Sequence, residues 1–413
     1  MPELTVVVRV PWPKEPTLGA LEKAIFRALQ AAGRELLLQA FRILEETVIT
    51  GARQRRRRRY LITRFGELRF TRWQTRTDRG YGYPLDAALG LSPADPCSAW
   101  VRETASWLAQ AHPYRQAARL LGRMIGAPVD HRRLWGWVQT SGRAVRDHLD
   151  RMRASLFDDG ELPPFSGPAP RIVSTSADGT FIRTRDGPVE VKIGLWWTGA
   201  HRQSPTAHHP RYLLDGKGAY ASTEGHDLFG QTFYAAAAAR VGITRAREVF
   251  FISDGAGWLA DLPRDWITPT AVQLDQFHGK LRISEVARDP ERAARWWAWV
   301  TEHNLGALGR SISSLTRSGR IDPEAGRVLF GYLAEGLDAF ETYQRLQDAG
   351  HSPQMAPRGS GAMEHTVDLV VARRFKRQGM RAWSRHGADN LLALRCLAMD
   401  EAAWRDWWGE AAN

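Results

Sequence analysis

The chain has 413 residues, 43% of them apolar, and its 57 Lys and Arg against 45 Asp and Glu leave a net charge of +12. That apolar share can fill a core and excludes wholesale disorder. Two cysteines, Cys97 and Cys396, exclude a disulfide framework and a Cys-rich zinc module, and no apolar run approaches the roughly 18 residues of a membrane span. With no secretory leader after Met1, a cytoplasmic, nucleoid-associated protein of about two to four domains is expected.

Leu4 to Val10 reads as a short strand stopped by Pro11 and Pro13. Thr17 to Thr50 keeps a helical apolar period that Gly33 is placed to interrupt. Gly51 to Leu85 then holds eleven arginines, from Arg53 to Arg79, against Glu67 and Asp78, so +9 of the net charge lies in this segment. Within it Arg55, Arg56, Arg57, Arg58 and Arg59 are consecutive, and Tyr60 to Trp73 looks like a hairpin turning at Phe65-Gly66-Glu67. Ser98 to Leu149 is helical in pattern. A helix at Tyr114 to Met124, a turn at Gly126-Ala127 and a shorter helix at Asp130 to Val138 resemble a helix-turn-helix, as any small helical bundle can. Regions 1–85 and 86–160 are therefore expected to be mainly helical and DNA-binding.

Pro163, Pro164, Pro168 and Pro170 mark a linker. Beyond it, strands are expected at Arg171 to Arg185, Val189 to Trp197 and Arg211 to Thr223. A helix with Phe229, Phe233, Ala236 and Ala237 on one face follows. Then come a strand at Glu248 to Ser253 ending in Asp254, a short helix near Gly257 to Leu262, and a strand at Ala271 to Leu274 ending in Asp275. The order βββαβαβ is that of an RNase H-like core, an α/β fold on a mixed five-stranded sheet, its first part at 171–278. An all-α insertion is expected at 279–353, where Trp296, Trp297 and Trp299 cluster. Region 354–413 would complete the core, with a helix from about Ala362 to Gln378 and a tryptophan-rich helical end from Trp383 to Trp408.

A second basic run, Arg373, Arg374, Lys376, Arg377, Arg381 and Arg385, meets no carboxylate between Asp368 and Asp389. One such run is often only a solvated face; two of them, dominated by arginine, point to a polyanion. Nucleic acid leads over an anionic membrane, because no amphipathic helix pairs the run with an apolar face.

Three carboxylates stand out by context. Asp178 lies within the first core strand and Asp254 ends the fourth, so neighbouring strands would set them side by side. Two such carboxylates repel unless a cation lies between them, and Mg2+, with Mn2+ as a substitute, suits oxygen ligands. Glu364, in the first turn of a helix capped by Ser360 or Gly361, would supply the third ligand. Taken singly, an Asp-Gly pair is an ordinary turn former and a first-turn Glu an ordinary dipole partner. Asp275 and His278 suit phosphate positioning or proton handling, although by themselves they read more readily as an N-cap aspartate with a satisfied histidine. His201, His208 and His209 read as loop histidines, Gly216-Lys217-Gly218 as a turn, and Trp73, Trp258 and Trp383 as candidate base-stacking residues.

These residues resemble the DDE transposases of bacterial insertion sequences, nearest the ISLre type, with ISKra and Mutator-like types as relatives. The resemblance is carried by Ser176-Ala177-Asp178-Gly179-Thr180, Glu190-Val191-Lys192-Ile193-Gly194, Ser253-Asp254-Gly255-Ala256-Gly257-Trp258 and Leu274-Asp275-Gln276-Phe277-His278. Gly359-Ser360-Gly361-Ala362-Met363-Glu364, Arg373-Arg374-Phe375-Lys376, Gly379-Met380, Trp383-Ser384 and Gly387-Ala388 extend it, as does Thr63-Arg64-Phe65-Gly66-Glu67. It implies a catalytic triad of Asp178, Asp254 and Glu364, with Asp275 and His278 as the Asp-x-x-His motif. Arg381-Ala382 departs from the pattern, since relatives place the tryptophan sooner after Gly-Met. The expected activity is two-metal cleavage and transfer of double-stranded DNA at terminal inverted repeats and target, by a homodimer or larger assembly. The alternatives are a non-catalytic DNA-binding protein that keeps the fold and a nuclease without strand transfer.

Overall fold

The computed structural model describes residues 3–77, 80–92, 96–204, 212–255, 257–377, 380 and 382–409. Arg79, His208, His209, Ala256, Gly379 and Arg381, all singled out above, lie outside these. The chain divides into two units, Met1–Ser141 and Gly142–Asn413.

In the first unit, Thr17 accepts from the Ala20 N–H and opens α1 (Leu18–Val48). Gly33 does not break this helix; it is buried because the Phe65 ring lies where a Cβ would be. The expected strand at Leu4 to Val10 does not form: these residues pair with no strand among the described residues, and Val7 is 79% exposed. β1 (Arg53–Thr63), β2 (Gly66–Thr77) and β3 (Gly80–Gly82) make a three-stranded antiparallel sheet. The arginine run is therefore the first strand of the hairpin rather than a segment before it, while helices still account for more than half of the unit's described residues, as expected. Its alternation was hidden because both faces of β1 begin with arginines; only from Arg59 onward does one face turn inward, through Leu61, to pack with Leu68. Thr63 pairs with Gly66 across a two-residue turn, and Gly66 has φ +95°, a conformation glycine adopts without strain. α2 (Pro84–Ala88), α3 (Ala99–Ala111), α4 (Tyr114–Ile125) and α5 (His131–Phe157) follow. α5 does not stop near Val138 as expected but continues to Phe157, so the boundary between the units falls inside it.

The second unit is built on a five-stranded mixed sheet. Its strands are β4 (Ile172–Thr184), β5 (Gly187–Trp197), β8 (Gly218–Ser222), β9 (Glu248–Ser253) and β10 (Ala271–Leu274), with β6 (Gly199–Arg202) and β7 (Tyr212–Asp215) forming a separate pair. The single strand expected from Arg211 to Thr223 is thus two, divided at Gly216 (φ +59°). Strand order is β10-β9-β4-β5-β8, with β4, β9 and β10 parallel and β5 antiparallel to both β4 and β8. α6 (His226–Val241) covers one face, where Phe229 and Phe233 pack on Val173, Ala177, Trp196 and Phe251. Gly194 lies beneath the Phe233 ring, which occupies the space a side chain would need.

α7 (Gln276–Ala287), α8 (Pro290–Thr301), α9 (Leu305–Arg317), α10 (Pro323–Glu335) and α11 (Thr342–Asp348) form the helical stretch expected after β10. They have their own core around Trp296, Ile283, Leu308, Leu333 and Phe340. α12 (Gly361–Val367) and α13 (Arg373–Phe375) are joined by a π-helical turn at Asp368–Ala372, and α14 (Arg385–Leu397) and α15 (Glu401–Trp408) close the chain. α12 packs on β4 and β5, and α14 on β8. Gly142 of α5 meets the Asn390 carbonyl of α14, where a Cβ would overlap it. Gly142→Ala is accordingly expected to cost about 1–3 kcal/mol, read as a lower urea midpoint; an unchanged midpoint would mean that the two helices part freely. Among the described residues, no helix is long and apolar enough to cross a membrane.

Candidate catalytic centre

Strand register aligns the carboxylates. Ser176 pairs with Ile252 in the parallel β4–β9 ladder, and Leu274 pairs with Ser253 in β10–β9. Two residues further along, Asp178 comes level with Asp254; one further, Asp254 comes level with Asp275, whose N–H donates to the Ser253 carbonyl at 2.8 Å. Neighbouring strands run about 4.8 Å apart, so a row of carboxylates crosses three parallel strands, midway along β4 and just past the ends of β9 and β10. Ala177 faces α6, so by the two-residue period of a strand Asp178 faces the opposite side, on which α12 packs.

Asp178 is half-buried and accepts the Gly179 N–H at 2.7 Å. Burial raises its pKa first; the Gly179 N–H resists, the negative charges of Asp254 and Glu364 push it further up, and His278 pulls it back. The centre is therefore an acidic one with Asp178 in its middle. Gly179 leaves room for Glu190, whose Oε1 a Cβ would meet and which is held by Lys192 at 3.0 Å and the Trp258 Nε1–H at 3.1 Å. Trp258 is thus an anchored partner of Glu190 rather than an open stacking surface.

Asp254 follows the last residue of β9, and Gly255 (φ +70°) turns the chain away. Arg282 lies 3.7 Å from its Oδ2, and Arg282 stacks on Tyr332 at 4.1 Å from the ring centroid. The Tyr332 hydroxyl donates to the Asp254 carbonyl at 2.9 Å, and burial pushes its pKa up to about 12, so it stays a donor. Neither Arg282 nor Tyr332 was foreseen. Arg282 stands one helical turn after His278 on α7, a spacing that could have revealed it; Tyr332 comes from α10 and leaves no local signal.

Asp275 is 2% exposed, and its two oxygens are taken up within the fold. Oδ1 accepts from the Phe277 N–H at 2.7 Å; Oδ2 accepts from the Ser360 N–H at 2.8 Å, the Ser360 hydroxyl at 2.7 Å and His278 Nδ1 at 3.1 Å. Burial alone would raise its pKa, but the Ser360, His278 and Phe277 donors outweigh it and hold Asp275 below the usual carboxylate range. An ionised carboxylate only accepts, so His278 carries its hydrogen on Nδ1. Gly359 passes 3.2 Å from both Asp275 oxygens, measured from where its Cβ would stand. Ser360 thus takes the N-cap position of α12 as expected, but its hydroxyl makes no cap bond and ties the loop to Asp275 instead.

Glu364 stands exposed in the first turn of α12. Among the described residues, Asp275, His278 and Glu364 form the one trio whose ligand atoms all lie within 4.8 Å of one another. The expected trio of Asp178, Asp254 and Glu364 shares one electrostatic neighbourhood without closing to that range.

Below Glu364, the π turn shifts the helical phase, and Arg395 donates to the freed carbonyls of Leu369 and Val370. As a result the basic run does not lie on one face. Arg373 is exposed and pairs with Asp368 at 2.8 Å, Lys376 reaches the Thr180 hydroxyl, and Arg377 is exposed. Arg374 is buried (2% exposed) against Trp383 and so drops out of the surface set, and Trp383 is spent on Arg374 and Phe375. In the N-terminal run, Arg55 to Arg58 are exposed, but Arg59 is buried and bonded to Asp86 at 3.2 Å. His201 pairs with Asp215 at 2.6 Å across β6–β7, away from any metal cluster among the described residues.

A family model described as an uncharacterised protein family, UPF0236, matches residues 16–411. The chain is also 24% identical over 356 residues to the UPF0236 protein in vanSb 3'region of Streptococcus gallolyticus, covering 80% of this chain and 70% of that relative. The chain belongs to the UPF0236 family.

Proposed function

We propose that this protein is a DDE-class DNA transposase with an RNase H-like core, cutting element ends and joining them to target DNA. The observation that carries the reading is the register of β4, β9 and β10, which sets Asp178, Asp254 and Asp275 in one row beneath the helix bearing Glu364. The strand order β10-β9-β4-β5-β8, with β5 antiparallel between β4 and β8, supports the RNase H-like assignment.

The donors suit Mg2+ or Mn2+: the negative charges of Asp254 and Glu364 lie close enough to Asp178 to raise its pKa, and carboxylate oxygens are hard ligands. Asp178, Asp254 and Glu364 would hold the ions, which when bound activate the attacking oxygen and stabilise the leaving one in phosphoryl transfer. Asp275 fixes the ring of His278 and, through Ser360, the start of the Glu364 helix. His278 would exchange a proton at Nε2, the nitrogen left by its bond to Asp275. Arg282, held over Tyr332, would steady Asp254 and face the incoming phosphate. Lys376 and Arg377 would hold the DNA backbone beside the centre. Joining two ends at once calls for a dimer or a larger assembly.

The test is nicking of duplex DNA carrying the element's own ends, in magnesium and in EDTA, by wild type and by Glu364→Gln. Metal-dependent nicks at the ends that vanish in Glu364→Gln are expected; equal nicking by both proteins would remove Glu364 from the centre.

A further inference from the structure

Two features that the sequence presents separately, the arginine run and the helix-turn-helix pattern, meet at Tyr60 in the first unit. On β1, Arg56, Arg58 and Tyr60 point to one face, and across the ladder they stand opposite Trp73, Thr71 and Arg69 of β2. The other face is buried at Arg59, Leu61, Leu68 and Arg72, with Phe70 against Phe41 of α1. The Tyr60 face is solvent-facing: Arg56, Arg58, Arg69 and Thr71 are exposed, and Arg56 bonds Thr71 across the strands at 3.3 Å. Arg133, in the first turn of α5, lies over the Tyr60 ring at 5.9 Å, and Arg69 lies at 5.9 Å from the same ring. Asp130 accepts from the N–H groups of Arg132 and Arg133, which fixes this end of the helix with both arginines exposed.

We infer that the Tyr60 face of the β1–β2 ribbon and the first turn of α5 form one composite surface that binds double-stranded DNA. This deepens the transposase reading and rests on it for the identity of the DNA.

Charge complementarity argues for a polyanion. Five exposed arginines, Arg56, Arg58, Arg69, Arg132 and Arg133, stand against two carboxylates, Glu67 paired with Arg69 at 2.6 Å and Glu45 at 3.9 Å from Arg56, so 5 − 2 leaves +3. Duplex rather than single-stranded nucleic acid is favoured on two grounds. A two-stranded ribbon and a helix end are the two shapes that a major groove of about 12 Å admits. Single-strand binding relies on open aromatic faces for base stacking, whereas Tyr60 is flanked by Arg69 and Arg133, and Trp73 by Arg53 and Arg56.

The test is fluorescence anisotropy of the full chain with a random-sequence DNA duplex over a salt series, with single-stranded DNA and duplex RNA of the same sequence as comparison probes. Each phosphate contact contributes about 0.9 to the slope of log K against log salt. Arg58→Ala/Arg69→Ala and Arg132→Ala/Arg133→Ala should each lower that slope by about 1.8 and weaken binding at least about tenfold, while Arg58→Lys/Arg69→Lys keeps the slope. Arg327→Ala, at an exposed arginine of the other unit paired with Glu324, should change nothing. Unchanged slopes in both alanine pairs, a loss in only one pair, or tighter binding of single strands or RNA than of duplex DNA would overturn the composite surface. Salt-dependent binding lost in both alanine pairs, with no cleavage by wild type, would leave this surface standing and remove the catalytic reading; cleavage with intact binding in both pairs would do the reverse.

Discussion

Asp178→Asn should abolish strand cleavage while leaving the protein at least as stable as wild type. Loss of one ligand that stabilises the attacking and leaving oxygens removes about 4 kcal/mol of transition-state stabilisation, or about a thousandfold in rate. Stability should move the other way. Burial and the charges of Asp254 and Glu364 raise the Asp178 pKa on folding, so the native state binds its proton more readily than the unfolded state. Such a group contributes stability below its unfolded pKa, and that contribution is lost as pH rises through the native value. At neutral pH the ionised Asp178 is a cost that an uncharged amide of the same shape relieves. The check is a melting curve at pH 7 in EDTA beside the cleavage rate. A clear fall in melting temperature, or cutting at the wild-type rate, would contradict this account of Asp178.

Asp275→Asn should have the opposite effect on stability. This buried carboxylate accepts four hydrogen bonds, and an amide would turn an NH2 group toward donors from Ser360 and His278. A buried charged acceptor lost in this way costs about 2–4 kcal/mol. Here the sign of the linkage is reversed. Folding lowers the Asp275 pKa from its ordinary 3.8, so its stabilisation is present above that pH and is lost as pH falls through the lower native value. Urea midpoints of wild type and Asp275→Asn should therefore differ most near neutral pH and converge in acid. A gap that stays constant into acid would show that Asp275 acts through its shape and not its charge. Loss of cleavage is expected too, but as a consequence of releasing the Ser360 loop and with it the Glu364 helix. The pair of variants thus separates a carboxylate that works on substrate from one that holds the centre together.

Much of the second unit was legible because its signals are local. Val249 to Ile252 is an apolar run that ends in Ser253 and Asp254, and Ala271 to Leu274 ends in the same way at Asp275. Phe229 and Phe233 repeat at helical spacing and pack as that spacing implies. The failures have a common cause as well. The β1 strand was hidden because a run of arginines carries no hydrophobic period, although Leu61 and Leu68 show which face it buries. The π turn at Asp368–Ala372 has no composition of its own; it is set by Arg395, which is distant in the chain, and it is what buries Arg374 among residues that look uniformly exposed. The Ser360 hydroxyl read as a helix cap because the bond that claims it comes from Asp275, on another element altogether. Tyr332 and Arg282 were missed for the same reason: a contact between distant elements leaves no mark on either stretch of sequence.

The most direct test of the central claim is a strand-transfer assay with the full chain, duplex DNA bearing the element's ends, a target plasmid and Mg2+ or Mn2+. The account predicts joined end–target products that require the metal and disappear in Asp178→Asn and Glu364→Gln. Tight binding of the ends with neither cleavage nor joining in either metal would contradict it and leave a DNA-binding protein on the same fold; cleavage that never yields joined products would leave a nuclease.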